Sequence, residues 1–179
     1  MRVFIAIELP KEIKDYLFEI CKELFPFASI RQVSKKVMHL TMRFFGEISE
    51  NKMEEIKEML KEVKFKKIKV NLDSLGVYPN EGYARVLWVD LKPAGKVIEL
   101  KDDIDKVLLE LFKKEERFSV HITLGRVKQV KDREGFIKKL KEIKIEKKEF
   151  EINEFKLMKS ELTKDGPVYM DLGIYNAGS

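Results

Sequence analysis

The sequence predicts an α+β fold with a mainly antiparallel sheet, and three observations carry that prediction. Four segments place apolar residues at helical spacing, roughly eight others read as strands, and the two kinds are interspersed. Strand-like runs such as 68–78 and 84–91 lie close enough in the chain to pair as antiparallel hairpins. Neither G-x-G-x-x-G nor G-K followed by Ser or Thr occurs, so a doubly wound nucleotide-binding sheet loses its main support.

The opening R-V-F-I-A-I-E-L is apolar and β-branched and reads as a strand, after which Pro10 suits the first turn of a helix. Ile13, Leu17, Ile20 and Leu24 continue that helix until Phe25-Pro26 stops it. A short strand near 29–33 leads into M-H-L-T-M-R-F-F-G-E-I, a strand ended by Gly46. Ser49 is placed to cap a helix carrying Met53, Ile56, Leu60 and Val63. The strands around 68–78 and 84–91 are joined by P-N-E-G, and a third helix carries Val97, Leu100, Ile104, Leu108 and Leu111. The segment R-F-S-V-H-I-T-L-G-R-V is expected to be strand from Arg117 onward, followed by a helix with Phe136, Ile137, Leu140 and Ile143. Two last strands cover about 150–162 and 168–175. In the first of them a shift of apolar parity, from Phe150 and Ile152 to Phe155 and Leu157, predicts a bulge near Asn153.

A chain of 179 residues suits one domain spanning 1–179, built as two lobes. At 44% hydrophobic residues it can bury a real core, which excludes a disordered protein. One Cys and two His can make neither an internal disulfide nor a closed zinc site, and Cys21 reads as a small packing residue. No run approaches a membrane span, and the opening is too short in apolar length for a secretory signal, so a cytoplasmic location with no membrane partner is expected. The net charge of +5 leans toward polyanionic partners. Twenty-nine Lys and 22 Glu make a thermophile-like composition, with most lysines on a solvated, ion-paired face. The seven Arg are more informative, because a guanidinium grips phosphate bidentately; Arg2, Arg43, Arg85 and Arg126 fall in or at the ends of strands.

The least bland feature is a duplication. His39-Leu40-Thr41-Met42 and His121-Ile122-Thr123-Leu124 repeat one pattern 82 residues apart, in a chain with three Thr in all. Chance placement would pair both His with a Thr two residues on roughly once in several thousand trials. Positions i and i+2 of a strand face one side, so each His projects with its Thr while Leu40, Met42, Ile122 and Leu124 anchor the other face. Across a two-lobed cleft, two imidazoles near neutral pKa provide a general base and a general acid, and two hydroxyls hold the oxygens of a tetrahedral anion. The residues alone leave open which imidazole does which. A lone His on a strand is most often a half-buried structural residue; the duplicate setting, with an Arg close behind each Thr, argues against that reading for both. Arg43 shares strand parity with His39 and Thr41 and is expected to reach the cleft. Arg126 has the wrong parity, unless Gly125 hosts a bulge that re-aims it.

With these residues in view, the chain resembles the two-histidine phosphoesterases, and among them the RNA 2′,3′-cyclic phosphodiesterases, also called 2′-5′ RNA ligases. The matching segments are R-V-F-I-A-I-E-L-P, H-L-T-M-R-F-F-G-E-I, L-G-V-Y-P-N-E-G-Y-A-R-V-L-W-V, F-S-V-H-I-T-L-G-R-V and S-E-L-T-K-D-G-P-V-Y, in family order over nearly the whole chain. Val120 departs from the proline that precedes the second His in many relatives. The resemblance implies two lobes of mainly antiparallel sheet related by a pseudo-twofold, helices on the outer faces and a basic central cleft. It implies His39 as proton donor, His121 as proton acceptor, phosphate contacts from Thr41, Thr123 and Arg126, and Phe44 as the aromatic after the first motif. Phe44 has opposite parity to His39, which weakens its expected contact. No metal and no cofactor are implied.

The implied reaction is hydrolysis of a terminal 2′,3′-cyclic phosphate to a 2′-phosphate on RNA, tRNA fragments among the candidate substrates, by a monomeric enzyme. With an RNA 5′-hydroxyl in place of water, the same geometry would form a 2′-5′ linkage. Phe44, Tyr78 or Trp88 are available to stack bases, although each alone, Trp88 above all, reads first as core. Two rivals remain: an RNA-end-binding module without catalysis, and a phosphodiesterase of small cyclic nucleotides.

Overall fold

The computed structural model describes residues 1–178. Its elements run β1 (Arg2–Glu8), α1 (Lys11–Lys22), β2 (Ala28–Gln32), β3 (His39–Glu47), α2 (Glu50–Leu60), β4 (Ile68–Asn80), β5 (Tyr83–Lys92), α3 (Gly95–Val107), β6 (His121–Val130), α4 (Arg133–Glu142), β7 (Glu149–Ile152), β8 (Glu154–Thr163) and β9 (Gly166–Asn176). The strands form a single antiparallel sheet in the order β7-β4-β5-β6-β3-β1-β8-β9, with β2 beside the far half of β6.

The two lobes meet where β3 pairs with β6 through Leu40 and Ile122, the middle residues of the two His-x-Thr triplets. Antiparallel pairing at equivalent residues is what a twofold operation produces. It relates β3-β1-β8 on one side to β6-β5-β4 on the other. Each lobe borrows its third strand from the other half of the chain, since β4 joins β5 and β8 joins β1.

Apolar stripes fix the helices against one face of this sheet. α1 buries Ile13, Leu17 and Cys21; α2 buries Met53, Ile56 and Leu60; α3 buries Val97, Leu100 and Ile104; α4 buries Phe136 and Leu140. Ser49 caps α2, its hydroxyl accepting from the Lys52 N–H at 3.2 Å, as the sequence predicts. Burial pushes the Cys21 thiol up to about 11, in keeping with a packing role.

Two expectations change. The parity shift near Asn153 is a change of partner rather than a bulge: β7 pairs with β4, and one residue later β8 pairs with β1, so the chain crosses from one lobe to the other. Both events reverse which side chains face inward, and parity alone does not separate them. The strand expected from Arg117 begins only at His121. Arg117–Val120 instead approaches the site as an irregular segment, with the Ser119 hydroxyl 3.2 Å from the Tyr78 hydroxyl.

Candidate active site

The burial alternation settles which way the triplets face. Leu40, Met42, Ile122 and Leu124 are fully buried on the helix side, each contributing about 1.5–3 kcal/mol to that orientation, while His39, Thr41, His121 and Thr123 are half-buried on the open side. A one-residue slip would reverse both sets. Pairing at Leu40 and Ile122 therefore brings two imidazoles and two hydroxyls to the two sides of one seam.

Each imidazole is held the same way. His39 Nδ1 lies 2.6 Å from the Val37 carbonyl, and His121 Nδ1 lies 3.2 Å from the Ser119 carbonyl and 2.7 Å from its hydroxyl. A carbonyl only accepts, so Nδ1 of His39 carries the proton and its Nε2 keeps the lone pair when the ring is neutral; at His121 the Ser119 carbonyl favours the same tautomer, with the Ser119 hydroxyl able to take either role. His39 Nε2 accepts from the Thr41 hydroxyl at 2.7 Å. Aromatic rings wall in both: Phe4 at 5.2 Å and Tyr169 at 5.4 Å around His39, Tyr78 at 5.4 Å and Trp88 at 6.3 Å around His121. This burial lowers the pKa of both imidazoles. For His39 the Val37 carbonyl and Glu8 oppose the shift and Lys14 adds to it; for His121 the Ser119 carbonyl opposes it.

Beyond each Thr the two strands carry equivalent bulges. In the β5–β6 ladder Leu87 pairs with Gly125 but Trp88 pairs with Thr123, so Leu124 is the extra residue. In the β1–β3 ladder Ile5 pairs with Arg43 but Ala6 pairs with Thr41, so Met42 is the extra residue. Each bulge turns the residue five after the His back to the open face: Arg126 in one lobe and Phe44, 65% exposed, in the other. The bulge inferred at Gly125 is present one residue earlier, at Leu124, and re-aims Arg126 as expected. Phe44, which simple alternation sends away, faces the site, opposite Phe4.

Arg43 is a correction. The bulge at Met42 drives its side chain into the core, 5% exposed, where Nη1 pairs with Asp105 and Nη2 donates to the Lys113 carbonyl at 2.6 Å. Lys101 completes the network, 2.7 Å from Asp105 and 2.8 Å from Glu115. Arg43 thus ties β3 to α3 and makes no approach to the open face.

Trp88 departs from the core reading as well. It is half-buried beside Thr123 on the open side, and its indole lies over Gly76 of β4. A Cβ at Gly76 would overlap the indole. Gly76→Ala is therefore expected to displace Trp88 toward His121, costing about 1–3 kcal/mol in thermal unfolding together with activity. A variant with unchanged unfolding and unchanged turnover would contradict that packing.

Strand alternation missed several neighbours. Glu8 lies opposite His39 and Asp90 opposite His121 in the ladders, a second equivalent pair; Asp90 accepts from the Ser74 N–H at 2.7 Å, and Lys156 bridges Glu8 at 3.3 Å to Asp171 at 2.9 Å. Tyr169 comes from β9, far along the chain, and only the strand exchange after Asn153 brings it near. Among the described residues no group of three or more His, Cys, Asp or Glu side chains is placed to hold a metal ion, and no helix is long and apolar enough to cross a membrane.

The two-fold repetition has a counterpart in comparison with known proteins. A family model described as LigT like Phosphoesterase matches twice, over residues 7–88 and 89–169. The chain belongs to that family. The boundary between the two matches falls within β5, so each match carries one His-x-Thr triplet. Relatives named RNA 2′,3′-cyclic phosphodiesterase include those of Archaeoglobus fulgidus, 33% identical over 98% of this chain and 99% of the relative, and Methanocaldococcus jannaschii, 35% identical over 94% and 96%. Among solved structures, a Thermus thermophilus protein superposes with a TM-score of 0.79 at 26% identity, covering 98% of this chain and 97% of that one. Escherichia coli LigT complexed with 3′-AMP shares the fold, with a TM-score of 0.79 at 23% identity over 99% and 98%. This LigT-like phosphoesterase therefore has the fold and the paired motifs that its sequence predicts.

Proposed function

We propose that this LigT-like phosphoesterase is an RNA 2′,3′-cyclic phosphodiesterase that opens a terminal cyclic phosphate to a 2′-phosphate by acid–base catalysis between its two histidines, without a metal. The observation that carries the reading is the equivalent mooring of the two rings: Nδ1 tied to a backbone carbonyl, Nε2 carrying the lone pair, one ring on each side of the β3–β6 seam. An in-line displacement needs a base on the attacking side of phosphorus and an acid on the leaving side, and this arrangement supplies both.

In this scheme His121 takes a proton from water, the water oxygen bonds to phosphorus, and the bond from phosphorus to O3′ breaks as protonated His39 donates to O3′. The products are a 2′-phosphomonoester and a 3′-hydroxyl. Thr41, Thr123 and Arg126 hold the equatorial oxygens, where preorganised donors act most strongly. Once His39 carries its second proton it no longer accepts from Thr41, and that hydroxyl is free to donate to phosphate. Phe44 offers its exposed ring to a base. With an RNA 5′-hydroxyl in place of water as the attacking group, the same residues join two ends through a 2′-5′ linkage. Both histidines come from one chain, so a monomer is sufficient for the reaction; cytoplasmic RNA ends such as those of tRNA fragments are fitting substrates.

The test is turnover of an oligonucleotide ending in a 2′,3′-cyclic phosphate with EDTA present, beside a cyclic mononucleotide. The expected result is a 2′-phosphate product and a higher kcat/KM for the oligonucleotide. Tight RNA binding without turnover would favour a binding module, and preference for the mononucleotide a small-nucleotide enzyme.

The pH dependence follows from the shifts. The rising limb of kcat/KM reports loss of the proton from His121 and the falling limb loss of the proton from His39 in the free enzyme. Burial lowers both, so the maximum is expected on the acid side of 6.5. The negative phosphate favours imidazolium, so the kcat profile lies at higher pH than the kcat/KM profile. A kcat/KM maximum well above pH 7 would contradict the assignment.

A further inference from the structure

Arg31 of β2 pairs directly with Arg126 of β6 in the antiparallel ladder, so the two side chains leave the same face of the sheet, the face that carries His121 and Thr123. Both are exposed, and among the described residues neither has a carboxylate within ion-pair distance. Two like charges placed opposite each other on adjacent strands destabilise the pairing, and this chain forms ion pairs freely elsewhere. An unneutralised guanidinium pair is therefore unfavourable for folding alone and is suited to a ligand with two neighbouring phosphates, one for each fork.

The row continues across the sheet. Arg31 pairs with Arg126, Arg126 with Val86, and Val86 with Tyr78, an exposed residue whose ring lies 5.2 Å from that of Trp88. Arg126 is three residues beyond Thr123 and next to the catalytic row; Arg31 is one strand farther out. A nucleic acid strand whose cyclic end sits at the His-x-Thr seam would reach this row with its next phosphodiester.

We propose that Arg31, beside the Arg126 that holds the reacting phosphate, forms a second phosphate site that binds the phosphodiester on the 5′ side of the reacting nucleotide, and so sets a preference for oligonucleotide ends over mononucleotides. The proposal rests on the RNA-end reading above and adds a residue and a substrate length to it. A mononucleoside 2′,3′-cyclic phosphate has no such phosphodiester, whereas a dinucleotide ending in the cyclic phosphate has one.

The test compares these two substrates in the full chain with Arg31→Gln and Arg31→Lys. In Arg31→Gln the ratio of kcat/KM for the dinucleotide to that for the mononucleotide is expected to fall about tenfold, chiefly through KM. In parallel, binding of a 2′-phosphate-ended dinucleotide is titrated against salt. The slope of log K with log salt should become shallower in Arg31→Gln and stay near the wild-type value in Arg31→Lys, which keeps the charge. An unchanged ratio, an equal loss on both substrates, or an unchanged salt slope would overturn the proposal. If the wild type turns over neither substrate, the RNA-end reading fails. The binding arm then still decides Arg31, by whether Arg31→Gln weakens the dinucleotide more than the mononucleoside 2′-phosphate.

Discussion

Replacing His121 or His39 by alanine is expected to reduce turnover of a cyclic-phosphate-ended oligonucleotide by about 10²–10⁴-fold each, because each removes one proton-transfer group from the displacement. The two substitutions act on one unit, so the double variant should be little worse than the poorer single one. Neither ring is a core anchor: the strands are held by Leu40, Met42, Ile122 and Leu124, which the substitutions leave in place. The thermal unfolding midpoints should accordingly change far less than the rates. A variant of either histidine that retains turnover within a few-fold of wild type, while folded, would remove that residue from the mechanism.

Replacing Arg43 by alanine is expected to act the other way, with a large loss of stability and little loss of intrinsic activity. Arg43 and Lys101 balance Asp105 and Glu115 in a network whose first three members are almost fully buried. Removing Arg43 leaves the buried Asp105 with one cation in place of two and deprives the Lys113 carbonyl of its donor. Breaking such a buried pair costs about 3–5 kcal/mol. Arg43→Lys should recover only part of this, since an ammonium does not span the Asp105 carboxylate and the Lys113 carbonyl as the fork does. Chemical denaturation measures the loss directly, and kcat/KM well below the unfolding transition should stay within a few-fold of wild type. A stable Arg43→Ala variant with no activity would show that the side chain serves substrate after all.

The contrast between these residues marks how much of the site the sequence discloses. His39, Thr41, His121 and Thr123 are legible because each pair lies within one strand and alternation by two is a strictly local rule. Residues beyond the Thr depend on the bulges at Met42 and Leu124, which are properties of the ladders with β1 and β5 and leave no local mark on β3, where the extra residue is an ordinary Met. Simple parity therefore sends Arg43 to the cleft and Phe44 to the core, the reverse of what the structure has. On β6 the glycine at 125, packed against Ile30 and Cys21, gives the only hint. The exchange of strands at Asn153 is similarly hidden, since it concerns which partner a strand takes rather than what the strand is. With it go Tyr169 beside His39 and the bridge from Glu8 through Lys156 to Asp171, all assembled from opposite ends of the chain.

The central claim is that one imidazole protonates the leaving O3′ while the other activates water. It is tested most directly by replacing O3′ of the cyclic phosphate with sulfur, because a thiolate leaves without needing a proton. On that substrate His39→Ala should recover most of the activity it lacks on the oxygen substrate, while His121→Ala should remain as impaired as before. Equal failure of both variants on both substrates, or recovery of both alike, would contradict the account.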